Sequence, residues 1–171
     1  MRFSAAFSLA LILSLSKDEG AHQLSRTPEG GAQMATGLLL NIDVPDIEAA
    51  VAFYTAALGL RVGRRFDTDF VELLGCDAPI YLLKKDAGTS IGPAGGDTRG
   101  YQRHWSPIHP DYVVDDMDVA VARALAAGAV QEGETCEAAY GRLAMFADPF
   151  GHGFCLIEFN DRGYDALLPQ P

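Results

Sequence analysis

Residues 38–52 return, altered but recognisable, 70 positions downstream as residues 108–122. Val44 corresponds to Val114, Asp46 to Asp116, and Ala50-Val51-Ala52 to Ala120-Val121-Ala122. Each copy reads as a short apolar strand, an acidic cap and an amphipathic helix. Asp46 and Asp116 suit the cap position because a carboxylate accepts hydrogen bonds from the unpaired amides of a first helical turn. Ile47, Val51, Tyr54 and Leu58 share one face of the first helix, and Gly59 and Gly128 supply its stop and that of its copy. A repeat of this length means that neither copy buries its hydrophobic face alone, so the two must pack together.

Three short strands follow each helix. In the first copy they are expected near 61–66, 69–74 and 79–84, parted by the turn signals Asp67-Thr68-Asp69 and Gly75-Cys76-Asp77. In the second they are expected near 129–135, 141–147 and 153–159, with Asp148-Pro149-Phe150-Gly151 before the last. The closing strands align as well, Ile80-Tyr81-Leu82-Leu83 with Phe154-Cys155-Leu156-Ile157. The fold class is therefore α+β, two tandem βαβββ modules forming a cupped mixed sheet. Module one covers 37–86, a Gly- and Pro-rich linker 87–106, and module two 107–161, within a domain of 34–161. A linker of that length in a compact domain is usually a functional lid or a disordered segment.

Outside the domain lie an extension, 1–33, and a tail, 162–171. Ala5 to Leu15 is apolar behind Arg2, which fits a signal-peptide core better than a membrane span. Met34 is the other candidate start, so the extension reads either as an export signal or as a mis-started segment. Cys76, Cys136 and Cys155 are an odd number without metal-type spacing, which favours free thiols and a cytoplasmic location. The net charge is −10, which disfavours nucleic acid and anionic membrane as partners. That charge is uneven: module one carries −3, module two −8 and the linker +1. This distribution favours a cationic or neutral ligand, or a lid held down by electrostatics.

The motifs V-P-D-I-x-x-A-x-x-F-Y-x-x-x-L-G-L, from Val44, and D-P-F-G-x-x-F-x-L-I-E, from Asp148, resemble those of the vicinal oxygen chelate superfamily. Its members include glyoxalase I, type I extradiol dioxygenases, methylmalonyl-CoA epimerase and bleomycin-resistance proteins. The resemblance covers about residues 37–160 and implies the glyoxalase/bleomycin resistance/dioxygenase fold. It also implies a homodimer in which modules pair within one chain or exchange between subunits. In metal-dependent relatives the ligands come from the first and last strands of both modules, typically His or Gln on the former and Glu on the latter. Here the equivalent positions hold Leu39, Tyr81, His109 and Cys155. Leu39 has no donor atom, and two strong donors rarely hold a divalent ion, so no metal or other cofactor is expected.

The remaining picture is a sheet-lined cup with a few polar groups, the usual form of a small-molecule pocket. Strand alternation places Asn41 and Asp43 beside Leu39, and Asp111 beside His109. The ligand-contacting set is then Asn41, Asp43, Tyr81, Arg103, Trp105, His109, Asp111 and Cys155. Each has a plainer reading: a buried remnant for His109, a turn stabiliser for Asp111, core residues for Tyr81 and Cys155, and a linker anchor for Trp105. His152 reads as a solvated turn residue. The sequence holds no G-x-S-x-G, P-loop, H-E-x-x-H or strand-to-helix G-x-G-x-x-G. The expected function is binding of a small organic molecule without the usual metal. The alternative is a lyase, isomerase or dioxygenase-type enzyme in which His109 acts as acid/base, oriented by Asp111, or as a residual metal ligand.

Overall fold

The computed structural model describes residues 36–169. Module one contains β1 (Leu40–Val44), α1 (Ile47–Leu58), β2 (Arg61–Arg65), β3 (Phe70–Leu74) and β4 (Ile80–Lys84). Module two contains β5 (Asp111–Val113), α2 (Met117–Ala126), β6 (Val130–Gln131), β7 (Cys136–Ala138), β8 (Gly141–Ala147) and β9 (Gly153–Phe159), followed by a short 3₁₀ turn at Gly163–Leu167. The strands form two mixed sheets ordered β1-β4-β3-β2 and β5-β9-β8-β6, with β7 added alongside β8. The first strand of each module runs parallel to the last, Asn41 opposite Tyr81 and Asp111 opposite Cys155. Each first strand therefore lies at a sheet edge.

Both acidic caps form as expected: Asp46 accepts from the Ala49 amide and Asp116 from the Val119 amide, each at 3.0 Å. The buried face of α1 is Ile47, Ala50, Phe53, Tyr54 and Ala57, rotated from the expected stripe so that Val51 and Leu58 are only half-buried. The rotation brings alanines of α1 towards α2, whose own buried residues include Ala120 and Ala124. Small residues permit close helix contact, and the two helices pack directly on each other.

The modules share one core. Phe53 of α1 makes edge-on ring contacts with Phe150 and Phe154 of module two at 6.3 and 6.4 Å. The Tyr54 hydroxyl donates to Asp148 at 2.6 Å, a buried bond across the module boundary, and the same carboxylate accepts from the Phe150 and His152 amides. His152 is not a solvated turn residue. It is half-buried, and its Nε2 lies 2.9 Å from the Asp43 carbonyl of module one.

The strand expected at 129–135 is broken into β6 and β7. Gly133 has φ of 90°, a left-handed conformation that carries the chain away from the ladder. The chain returns to β8 only at Cys136, opposite Leu143. Among the described residues no helix is long and apolar enough to cross a membrane. The expected signal-like or mis-started stretch at 1–33 lies outside the described residues.

Candidate functional site

Leu39 and His109, the repeat-related ligand positions, both sit immediately before their strands rather than on them. In module two the cause is Pro110, which has no amide for the ladder; its carbonyl accepts from the Cys155 amide at 3.1 Å instead. His109 nevertheless reaches Asp111, with Nε2 3.3 Å from Oδ1. Cys155 lies directly across the ladder from Asp111, and one donor atom from each of His109, Asp111 and Cys155 falls within 4.8 Å of the others. The imidazole and the carboxylate are partly exposed while Cys155 is buried. Burial first, and then the Asp111 charge and hydrogen bond, push the Cys155 thiol up to about 12, so at neutral pH it keeps its proton.

Trp105 stands over this cluster. Its ring meets His109 edge-on at 5.4 Å, and its Nε1 donates to Glu132 at 2.7 Å. Arg103 pairs with Glu132 and lies over the Trp105 ring at 4.7 Å. The indole rests on Gly153, where a β-carbon would come within 2.6 Å of the ring. Only glycine leaves that seat open. Trp105 is thus both linker anchor and rim residue: it is clamped on one side and 38% exposed on the other.

Module one is organised differently. The Tyr81 hydroxyl donates to Glu72 at 2.9 Å, and Arg64 grips the same carboxylate through Nε at 2.9 Å and Nη2 at 2.6 Å. Glu72 is buried, and its hydrogen bonds from Arg64 hold its carboxyl down at about 2 despite the opposing effect of burial. Phe66 stacks on Phe70 at 4.4 Å, and Tyr81 tilts against both rings. Asp43 is taken up by Arg99 of the linker, Nε to Oδ2 at 2.6 Å. Asn41 lies exposed on β1 opposite Tyr81, and Leu39 is exposed. Among the described residues no hydrogen bond, ion pair or ring contact joins Asn41, Asp43 or Tyr81 to the His109 group. The expected set therefore divides: His109, Asp111, Cys155, Trp105 and Arg103 converge, whereas Asp43 and Tyr81 belong to separate local networks and Asn41 lies exposed.

A cleft of about 810 Å³ runs between the modules. His109 and Asp111 lie on one wall with Ile108, Tyr112 and Val119, facing Leu38, Leu40, Leu58, Cys76 and Ile80. A second hollow of about 450 Å³ contains Asn41, Asp43, His104 and His152. Tyr81, Arg103, Trp105 and Cys155 line neither. Glu72, Arg64 and Glu132 were missed by sequence reasoning. Glu72 does carry a signal, as a lone carboxylate inside the apolar run Phe70-Val71-Glu72-Leu73-Leu74, where an unpaired charge would be costly.

The folded arrangement is shared by solved structures that resemble it at low identity. FosX, a genomically encoded fosfomycin resistance protein from Listeria monocytogenes, has a TM-score of 0.59 at 17% identity, covering 79% of this chain and 100% of that one. TioX from Micromonospora sp. ML1 has a TM-score of 0.57 at 18% identity, covering 74% and 100%. These define the vicinal oxygen chelate fold. The chain belongs to the glyoxalase-like domain family, whose model matches residues 40–157. Two curated relatives match in sequence. The anthracycline biosynthesis protein DnrV of Streptomyces peucetius is 36% identical over 123 residues, which is 70% of this chain and 40% of that protein. The anthracycline biosynthesis protein DauV of Streptomyces sp. (strain C5) is 34% identical over 119 residues, 68% and 38%. This chain thus spans well under half the length of either.

The metal of the superfamily can be tested against these residues. Leu39 offers no donor, and the Tyr81 phenol is committed to Glu72, so neither ligand-equivalent position of module one contributes to a shared centre. Module two supplies three donors, one each from His109, Asp111 and Cys155, all within 4.8 Å of one another. The residues do not fit the four-ligand centre of metal-dependent relatives.

Proposed function

We propose that the chain binds a small, largely apolar organic molecule in the cleft between its modules, at the end where His109, Asp111 and Trp105 converge, without a divalent metal or other cofactor. The observation that supports the metal-free reading is the Arg64–Glu72–Tyr81 network, in which the phenol at module one's ligand-equivalent position is committed to a carboxylate already held by a guanidinium. The cleft volume lies in the range of drug-sized pockets. Two relatives are named for anthracycline biosynthesis, so flat polycyclic compounds of that kind are the first class to try. Fluorescence titration with doxorubicin is the test. Saturable binding that is unaffected by EDTA and lost in Trp105→Ala supports the reading, and absence of saturation refutes it.

A second reading is carried by the imidazole–carboxylate pair at 3.3 Å, the geometry of an oriented general base. It predicts that His109→Ala retains the bound molecule and stops its conversion. For the partner, we assign a second copy of this chain to the two sheet edges left open at β1 and β5, beside Leu39 at 51% exposure in the first sheet and Ile108 at 87% and Val113 at 65% in the second. A strand edge with apolar side chains and a single neighbour invites pairing. Light scattering of a homodimer, reduced to monomer by Ile108→Lys, checks this. A cytoplasmic location goes with the free thiols at Cys76, Cys136 and Cys155.

A further inference from the structure

The two copies of the repeat differ most consequentially at the boundary where the cleft lies. In module two, Phe150 in the turn before the closing strand inserts against Phe53 of module one's helix, while Asp148 takes the Tyr54 hydroxyl. This turn and helix seal that side of the boundary, with Phe150 only 6% exposed. The internal repeat specifies what the opposite boundary should contain. Counted back from the closing strands, where Asn41 opposite Tyr81 matches Asp111 opposite Cys155, Cys76 occupies the position of Phe150. On the helix alignment, Arg123 stands for Phe53 and Ala124 for Tyr54. Three elements of the seal are replaced: the phenylalanine plug by a small thiol, its aromatic partner by a cation, and the tyrosine that donates to Asp148 by an alanine.

Space follows from those substitutions. The 810 Å³ cleft is lined by Cys76, Leu58 and Ile80 on one side and by Arg123, Val119 and Tyr112 on the other. Arg123 does not fill it, because its Nε donates to the Ala57 carbonyl at 2.8 Å. Tyr112 also lines the cleft, and its hydroxyl is buried with no hydrogen-bond partner. A buried hydroxyl left unpaired is destabilising, and native structures rarely keep one without a use. Burial, then the neighbouring Cys76 and Asp148, raise its ionisation well above the ordinary phenol value. The oxygen has almost no accessible surface of its own, so it pairs only with a ligand whose acceptor displaces the side chains over it.

We infer that the bound molecule, if it occupies the cleft assigned above, places an aromatic ring where the missing plug would sit, against Cys76 and Arg123, with a carbonyl or phenolic oxygen accepting from Tyr112. Cys76 sets specificity by being small. Tyr112 selects for an acceptor, because a ring without one leaves the hydroxyl unpaired. The ligand class is thus a flat ring system with an oxygen at its inner end and its outer end towards His109.

The test uses 9-fluorenone, a flat aromatic ketone, titrated by fluorescence against the full chain. Cys76→Phe rebuilds the plug and is expected to weaken binding at least tenfold. Tyr112→Phe keeps the ring, removes the donor and is expected to weaken it several-fold. A separate readout avoids any failure of Cys76→Phe to fold: in the unaltered protein, saturating fluorenone should slow iodoacetamide alkylation of Cys76 and leave that of exposed Cys136 unchanged. Equal affinity of Cys76→Phe and the unaltered protein, or alkylation of Cys76 at an unchanged rate in saturating fluorenone, overturns the inference. If doxorubicin binding persists and still depends on Trp105 when that happens, the cleft reading stands without the plug site. If neither compound binds, both fall.

Discussion

Replacing Arg64 with alanine strips Glu72 of its principal partner, and the consequence should depend on pH in a defined direction. Glu72 is 5% exposed and receives two guanidinium bonds, the Arg64 amide at 3.2 Å and the Tyr81 hydroxyl at 2.9 Å. Its carboxyl titrates at about 2 in the fold against 4.5 when free. A depressed folded-state value contributes stability that is present above the unfolded value and lost as pH falls through the folded one. The difference corresponds to an upper bound of about 3 kcal/mol. The Arg64 side chain is 64% exposed, so solvent screens the pair and a contribution of about 1–2 kcal/mol is the better expectation. Urea unfolding of the Arg64→Ala protein should show that loss at pH 7, shrinking below about pH 4.5 to a small remainder by about pH 2, where the unfolded state carries a protonated Glu72 and the folded state is half protonated. The Arg64→Ala, Glu72→Gln double variant should lose the pH dependence. A destabilisation of constant size across that window would refute the reasoning, since the deficit would then come from packing of the arginine stem and not from its charge.

Three further outcomes follow from single contacts. Tyr54→Phe leaves a buried Asp148 oxygen unpaired across the module boundary and should cost about 2 kcal/mol, read as a lowered Tm. Gly153→Ala forces a β-carbon within 2.6 Å of the indole and should cost about 1–3 kcal/mol while red-shifting the emission of the single tryptophan. The Cys155 thiol, pushed up to about 12, should resist iodoacetamide at pH 8 while Cys136 reacts, and Asp111→Asn should lower its ionisation in a thiolate absorbance titration.

The fold was legible because a repeat declares itself locally: the caps, the helix stops and the order of strands all lie within each copy. What was illegible depends on contacts made across the chain. Glu72 meets Arg64 through strand pairing that no short window displays, and His152 looks like a turn residue until the module boundary folds over it. Gly133 was one glycine among 18, and only its left-handed backbone shows why a seven-residue strand breaks in two. The site was half legible. His109, Asp111 and Cys155 were found because the repeat marks equivalent positions, and they do meet. Asn41, Asp43 and Tyr81 were grouped with them on the assumption that symmetry in sequence becomes convergence in space. Local partners, Arg99 for Asp43 and Glu72 for Tyr81, took two of them instead.

Metal analysis of the purified chain, paired with doxorubicin titration before and after EDTA, bears most directly on metal-independent binding. The account predicts substoichiometric Zn²⁺, Ni²⁺, Mn²⁺ and Fe²⁺ and the same affinity after EDTA. An equivalent of tightly held metal, removed together with binding by EDTA and absent from His109→Ala, would contradict it and make His109, Asp111 and Cys155 a metal centre.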